Sequence, residues 1–229
     1  MSVLSKLKTI EQQIKLACEK SGRSQDEVTI IAVTKYVSVE RAEEALNAGI
    51  HHLGENRDEG LQEKWNILMD KPVWHFIGSL QTRKVKNIID KVEYIHSVDR
   101  LSLAAEINKR ATSKIKCLVQ VNVSGEESKH GIELDQVVEF IHQLRQFPNI
   151  IVCGLMTMAP NTEDTYVLRE CFSSLRKLRD EIIELDLTYA PCRELSMGMS
   201  NDFEIAVEEG ATMVRIGTAL VGEETEEVR

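Results

Sequence analysis

The sequence predicts an α/β fold: a single (β/α)8 TIM barrel over residues 1–229, with an extra N-terminal helix. Three observations predict it. Short β-rich runs recur along the 229 residues, helical stretches separate nearly all of them, and polar residues collect where the runs end. Alternating β and α implies parallel strands. Eight such runs in one chain of this length favour a closed barrel over an open doubly wound sheet, the structural alternative.

The first helix is read from Leu4, Leu7, Ile10, Ile14 and Ala17, three or four apart and therefore on one apolar face, with Ser21-Gly22 ending it. The β-rich runs follow: VTIIAVTK (28–35), IHHLGE (50–55), VWHFIGS (73–79), YIHSVD (94–99), KCLVQVNVS (116–124), IVCGLMTM (151–158), RELSMG (193–198) and TMVRIG (212–217). Helices are expected at Val39–Ala48, Leu101–Arg110, Leu134–Leu144, Tyr166–Leu185 and Asp202–Glu209, the last after the capping run Ser-Asn-Asp. No long Pro/Gly/Ser linker divides the chain, so one domain is expected.

Composition narrows the function. The net charge is −9, from 28 Lys+Arg against 37 Asp+Glu. An acidic chain repels nucleic-acid backbones and anionic membranes, so neither is an expected partner. The five cysteines (Cys18, Cys117, Cys153, Cys171 and Cys192) form no C-x-x-C pair, which argues against a disulfide framework or a zinc site and for a reducing compartment. Cys117 and Cys153 read as small core residues. The first twenty residues lack the long apolar stretch of a signal peptide, and no run reaches the length of a membrane span. A cytoplasmic protein is the expectation.

In parallel α/β folds, working residues sit at the C-terminal ends of strands. Lys35 closes the first run, facing either solvent or the barrel mouth. Turned inward, it would be desolvated and its neutral amine could attack a carbonyl. The seventh and eighth runs end in loops suited to an anion: Gly198, Ser200 and Asn201 lead into one helix, and Gly217 with Thr218 follows the last run. Arg215 lies inside an apolar run, where a charge needs a partner: a structural carboxylate, or a ring nitrogen or phosphate of a ligand. Other features read as scaffold. Adjacent His51 and His52 point to opposite faces of a strand, so no metal ligation is expected of them. Arg83, Lys84 and Lys86 read as a solvated helix face. Residues 126–131 read as a mobile polar loop, in which Lys129 offers a second amine.

At this point the motifs resemble a known family. Ala32-Val33-Thr34-Lys35, Gly54-Glu55-Asn56, His75-Phe76-Ile77-Gly78-Ser79-Leu80-Gln81, Ser97-Val98-Asp99-Arg100, Gly154-Leu155-Met156, Leu195-Ser196-Met197-Gly198-Met199-Ser200 and Val214-Arg215-Ile216-Gly217-Thr218 occur in order over nearly the whole chain. Together they are similar to the pyridoxal phosphate homeostasis proteins, relatives of the N-terminal barrel of alanine racemase. The resemblance implies pyridoxal 5′-phosphate (PLP) as cofactor, held as a Schiff base on Lys35. It implies phosphate contacts from Ser200, Gly217 and Thr218, Arg215 near the pyridine nitrogen, and Asn56, His75 and Ser196 around the ring. Arg57 departs from the family, where tyrosine is more usual, and Arg83 stands where asparagine often does.

Three function classes remain: a non-catalytic vitamin B6 carrier delivering PLP to apoenzymes, a PLP-dependent racemase or decarboxylase, and a cofactor-free lysine Schiff-base enzyme acting on a sugar phosphate. Racemisation needs an acid/base group on each face of the substrate. In the racemases, by resemblance, the second comes from a C-terminal domain that this sequence is not expected to have. The carrier is therefore favoured, as a monomer or weak dimer.

Overall fold

The computed structural model describes residues 2–126 and 130–222. The strands are β1 (Thr29–Val33), β2 (His52–Glu55), β3 (Val73–Phe76), β4 (Tyr94–Val98), β5 (Ile115–Asn122), β6 (Ile132–Glu133), β7 (Ile150–Met156), β8 (Glu194–Ser196) and β9 (Met213–Ile216). Their order is β4-β3-β2-β1-β9-β8-β7-β5, and β4 also pairs β5, which closes an eight-stranded ring. The pairings around the ring are parallel. The expected barrel is therefore what forms. The strand β6 was not expected. It is two residues long, too short to show a period, and runs parallel to the end of β5 at Val121 and Asn122. Among the described residues that precede it, Asn122 Nδ2 donates to the Glu126 carbonyl at 3.0 Å and Gln120 Nε2 to the His130 carbonyl at 3.2 Å. Lys129 lies outside the described residues.

Helices surround the ring: α1 (Val3–Ser21), α2 (Val39–Asn47), α3 (Asp58–Leu68), α4 (Val85–Ile88), α5 (Leu101–Arg110), α6 (Val137–Leu144), α7 (Thr165–Glu184), α8 (Phe203–Glu208) and α9 (Thr218–Val221). The buried stripe of α1 begins at Val3 rather than Leu4, which is 47% exposed. Anchoring explains the offset: the Val3 amide donates to Glu44 Oε1 on α2 at 2.9 Å. Gly22 ends α1 at φ 68° with its amide returned to the Cys18 and Glu19 carbonyls, the left-handed stop that glycine permits. The helix lies over α8, joined by Gln13–Glu204 at 2.9 Å and Lys20–Glu208 at 3.0 Å. The start of the chain thus covers the last βα units.

Helix α3 escaped the sequence reading because its inward face is half polar: Asp58, Leu61, Lys64 and Leu68 are its buried residues. Gly60, in its first turns, has a spatial reason. A Cβ there would sit 2.9 Å from Glu55 Oε2. The basic run is not simply solvated either. Lys84 ties its 3₁₀ turn (Thr82–Lys84) to α3, bonding Asp58 at 2.9 Å and Glu59 at 2.6 Å, while Arg83 and Lys86 are exposed.

Most of the core lies between the strands and the helices. Inside the barrel the apolar filling is small, with Leu118, Cys153 and Met156 packed against Tyr94. The five cysteines are buried, and among the described residues none is joined in a disulfide. Among the described residues, no helix is long and apolar enough to cross a membrane.

Candidate functional site

A cavity of about 450 Å³ opens at the C-terminal ends of the strands, and it gathers most of the residues singled out by sequence. Lys35, Asn56, Ser200, Arg215, Gly217 and Thr218 all line it. A groove of about 640 Å³ lies outside the barrel between α1 and α8. Its Lys20 and Arg169 are already paired with Glu208, so the barrel mouth is the better-equipped site.

Lys35 is placed by a sharp turn. Thr34 is fully buried, its amide donating to the Gly54 carbonyl at 3.0 Å and its hydroxyl to Glu55 Oε1 at 2.6 Å. Tyr36 then takes φ 62°, a left-handed conformation rare for a bulky residue. Between them Lys35 is exposed in the mouth rather than desolvated. Its amine lies 5.7 Å from the centre of the Tyr36 ring, and the Arg57 guanidinium lies 5.5 Å from the same ring. A hydrogen bond from Asn56, and then the positive charges of Arg57 and Lys35, hold the Tyr36 hydroxyl below the usual phenol range. Arg57 therefore packs on an aromatic neighbour at the mouth.

Arg215 is the buried cation of the site, 5% exposed. Its Nη1 donates to Ser196 Oγ at 2.6 Å and its Nη2 to the Thr157 carbonyl at 2.9 Å. Its partners are thus a hydroxyl and a carbonyl, not the carboxylate a structural ion pair would supply. Burial lowers its pKa to about 10, with the Asp202 charge acting in the opposite direction. It stays cationic at neutral pH with N–H groups beside the cavity.

Two predicted site residues do not line this cavity. Ser196 is fully buried beneath Arg215, and its Oγ also meets His96 Nδ1 at 2.9 Å. His75 lies deeper, joined to His96 at 2.9 Å and to His52 at 2.9 Å, and stacked on Tyr94 at 4.5 Å. Their hydrogen bonds lead from His75 through His96 to Ser196 and on to Arg215, which does line the cavity. His51 is exposed while His52 turns inward, the alternation expected of neighbours on a strand.

Several lining residues were missed. Gln120 is 2% exposed yet borders the cavity. Its signal was a polar side chain inside the apolar run KCLVQVNVS. The loop Met158–Thr162, with Met199 and Asn201, completes the wall, and loop residues leave no periodic trace. Asp202 also behaves differently from expectation. It makes no side-chain cap on α8; its carboxylate instead accepts from the Met199 amide at 2.5 Å, closing the loop that carries Ser200. Burial raises its pKa, partly offset by that hydrogen bond and by Arg215.

Known proteins share both the sequence and the shape. The family described as alanine racemase, N-terminal domain, matches residues 6–225. A pyridoxal phosphate homeostasis protein of Aquifex aeolicus is 43% identical over 227 residues, covering 97% of this chain and 99% of its own. The protein of that name from Escherichia coli K12 is 34% identical, covering 94% of each. Among solved structures, PipY of Synechococcus elongatus with PLP bound superposes with a TM-score of 0.83 at 29% identity, over 96% of this chain and 100% of that one. An alanine racemase of Corynebacterium glutamicum, 14% identical with a TM-score of 0.67, covers 97% of this chain and 63% of its own, and shares the barrel fold. Sequence and shape agree along almost the full length, and the chain belongs to the pyridoxal phosphate homeostasis proteins, within the family of the alanine racemase N-terminal domain.

Proposed function

We propose that the mouth holds pyridoxal 5′-phosphate as a Schiff base on Lys35, and that the protein buffers this cofactor and delivers it to PLP-dependent apoenzymes without efficient catalysis. The observation that carries the reading is a single cavity containing a presented amine, a buried guanidinium and two glycine-bearing loops. The residues fit the group. The Lys35 amine condenses with an aldehyde and releases water. Ser200, Gly217 and Thr218 line the space where a phosphate would lie, and Gly217 with Thr218 opens α9, whose first amides have no intrahelical partner. Arg215 meets the pyridine nitrogen as a donor only, since arginine cannot accept a hydrogen bond. The name of the relatives and the PLP bound to PipY support the assignment.

When bound, PLP supplies an electron sink for amino-acid chemistry, strongest with its ring nitrogen protonated. Arg215 opposes that protonation, because it is a buried cation that presents a hydrogen of its own. Lys35 and Thr218 are exposed, so water reaches the mouth and weakens the electrostatic stabilisation a carbanion needs. Both features favour holding and releasing the cofactor over turnover. The same reading places the protein in the cytoplasm, as one domain over residues 1–229 and as a monomer or weak dimer.

The test is to incubate the loaded protein with L-amino acids in heavy water and follow α-proton exchange, alongside reactivation of a PLP-dependent apoenzyme. Exchange far below about 1 s⁻¹, with measurable reactivation, is expected. Exchange at ordinary enzyme rates would restore the racemase or decarboxylase.

Gly217→Val tests the phosphate loops. A Cβ at Gly217 meets Val33 only at 3.6 Å, an ordinary contact, so the added methyls press mainly on the cavity. PLP affinity should fall at least about tenfold, the loss of one charge-assisted bond. Unchanged affinity in a folded variant, read by absorbance titration, contradicts the placement.

A further inference from the structure

Three buried or half-buried histidines on adjacent strands, His52, His75 and His96, form an unbroken hydrogen-bonded file through the barrel interior and end on Ser196, beneath the cavity. His52 Nδ1 meets His75 Nε2, His75 Nδ1 meets His96 Nε2, and His96 Nδ1 meets Ser196 Oγ, each at 2.9 Å. An imidazole donates from one nitrogen and accepts at the other when neutral. The file therefore has two self-consistent directions, one with every proton on Nε2 and one with every proton on Nδ1.

Arg215 decides between them. It donates to Ser196 Oγ at 2.6 Å and cannot accept. The hydroxyl proton of Ser196 then has one acceptor among its partners, His96 Nδ1. Once His96 accepts there, its proton sits on Nε2 and is donated to His75 Nδ1. His75 in turn donates from Nε2 to His52 Nδ1. Stacking on Tyr94, 7° from parallel, holds the His75 ring in plane. The reverse direction would leave a buried hydroxyl proton without an acceptor, which carries a desolvation cost.

We propose that Arg215 polarises this file so that His52, His75 and His96 are each neutral Nε2–H tautomers, and that they act as positioning residues holding Ser196 as the acceptor that aims Arg215 into the cavity. The order originates at the arginine and runs toward the barrel floor. A change at the Ser196 end must therefore be felt at His52, whereas a change at His52 that keeps an acceptor is not felt at His96. The tautomer order belongs to the chain itself; its effect on cofactor rests on the PLP reading above.

The experiment uses cofactor-free protein carrying ¹⁵N-histidine, with long-range ¹H–¹⁵N correlation at neutral pH and assignment by single His→Gln variants. Three Nε2–H imidazoles are expected at positions 52, 75 and 96. Ser196→Ala should shift His75 and His52 toward tautomer mixtures, while His52→Gln leaves His96 in place. An Nδ1–H form or an imidazolium at any of the three in the unsubstituted protein overturns the order, as does an unmoved His52 in Ser196→Ala. In a parallel titration, Ser196→Ala should bind PLP about tenfold more weakly than the unsubstituted protein. A tautomer shift with unaltered affinity removes the positioning role. Because the tautomers are read without PLP, a failure of the cofactor assignment leaves that result standing and is distinguished by an absence of PLP binding in every variant.

Discussion

Lys64→Met should destabilise the folded protein by about 3–5 kcal/mol, the cost of leaving a buried ion without its partner. Lys64 reaches from α3 under the end of β2, where its amine lies 3.2 Å from Glu55 Oε1, with the two side chains 4% and 2% exposed. Thr34 donates to the same carboxylate at 2.6 Å, so this pair supports the turn that presents Lys35. Burial is the largest influence on Glu55 and raises its pKa despite Lys64. Without Lys64 the carboxylate escapes only by keeping its proton. A folded pKa raised above the unfolded value of about 4.3 gives stability that is present at low pH and lost as pH rises. The deficit in Lys64→Met should accordingly grow from pH 5 to pH 8, and Glu55→Gln added to it should recover most of the loss. Urea unfolding at the two pH values checks this. A deficit under about 1 kcal/mol at pH 8 would mean the pair behaves as an exposed one.

Acid should weaken the protein in a higher window than carboxylates alone would set. Burial, then His96, His52 and Lys116, hold His75 far below the ordinary imidazole range. Burial, then Arg215, do the same to His96. In the unfolded chain both titrate near 6.5. The unfolded state thus binds more protons below that value. The stabilisation from neutral burial is complete above about pH 6.5 and is lost as pH falls toward the folded values. Each histidine contributes up to about 1.4 kcal/mol per pH unit. Glu44, lowered first by its hydrogen bond from the Val3 amide, gives up its share only near the carboxylate range. His52 is also lowered, first by burial, so unfolding midpoints should already decline between pH 6.5 and 5, and His96→Gln should make that slope shallower. A flat profile over this interval contradicts neutral histidines in the barrel.

The barrel was legible because its period is strong: apolar runs of strand length separated by amphipathic helices such as Leu101–Arg110, whose bounds match α5. What escaped were elements whose burial is polar or whose length is too short. Lys64 and Asp58 on the inner face of α3 break the stripe, and two residues of β6 carry no period. The mouth was legible from strand ends: Lys35, Asn56, Ser200, Arg215, Gly217 and Thr218 do meet at one cavity. The depth of His75 and Ser196 was not, since alternation says which face a residue takes but not its height along the barrel axis. The histidine file depends on register between strands, Gly54 opposite His75 and His75 opposite Tyr94, and register is a property of paired chains rather than of one run. Gln120 shows the same limit, because its partner, the His130 carbonyl, lies on another segment.

The most direct test of the cofactor assignment is borohydride reduction of PLP-loaded protein followed by peptide mapping. Reduction converts the imine to a stable secondary amine, so the label marks the nitrogen that held the aldehyde. The pyridoxyl group is expected on the peptide containing Lys35, with loss of visible absorbance and no label in Lys35→Ala. Label found mainly on Lys129 or another lysine, or undiminished in Lys35→Ala, would contradict it.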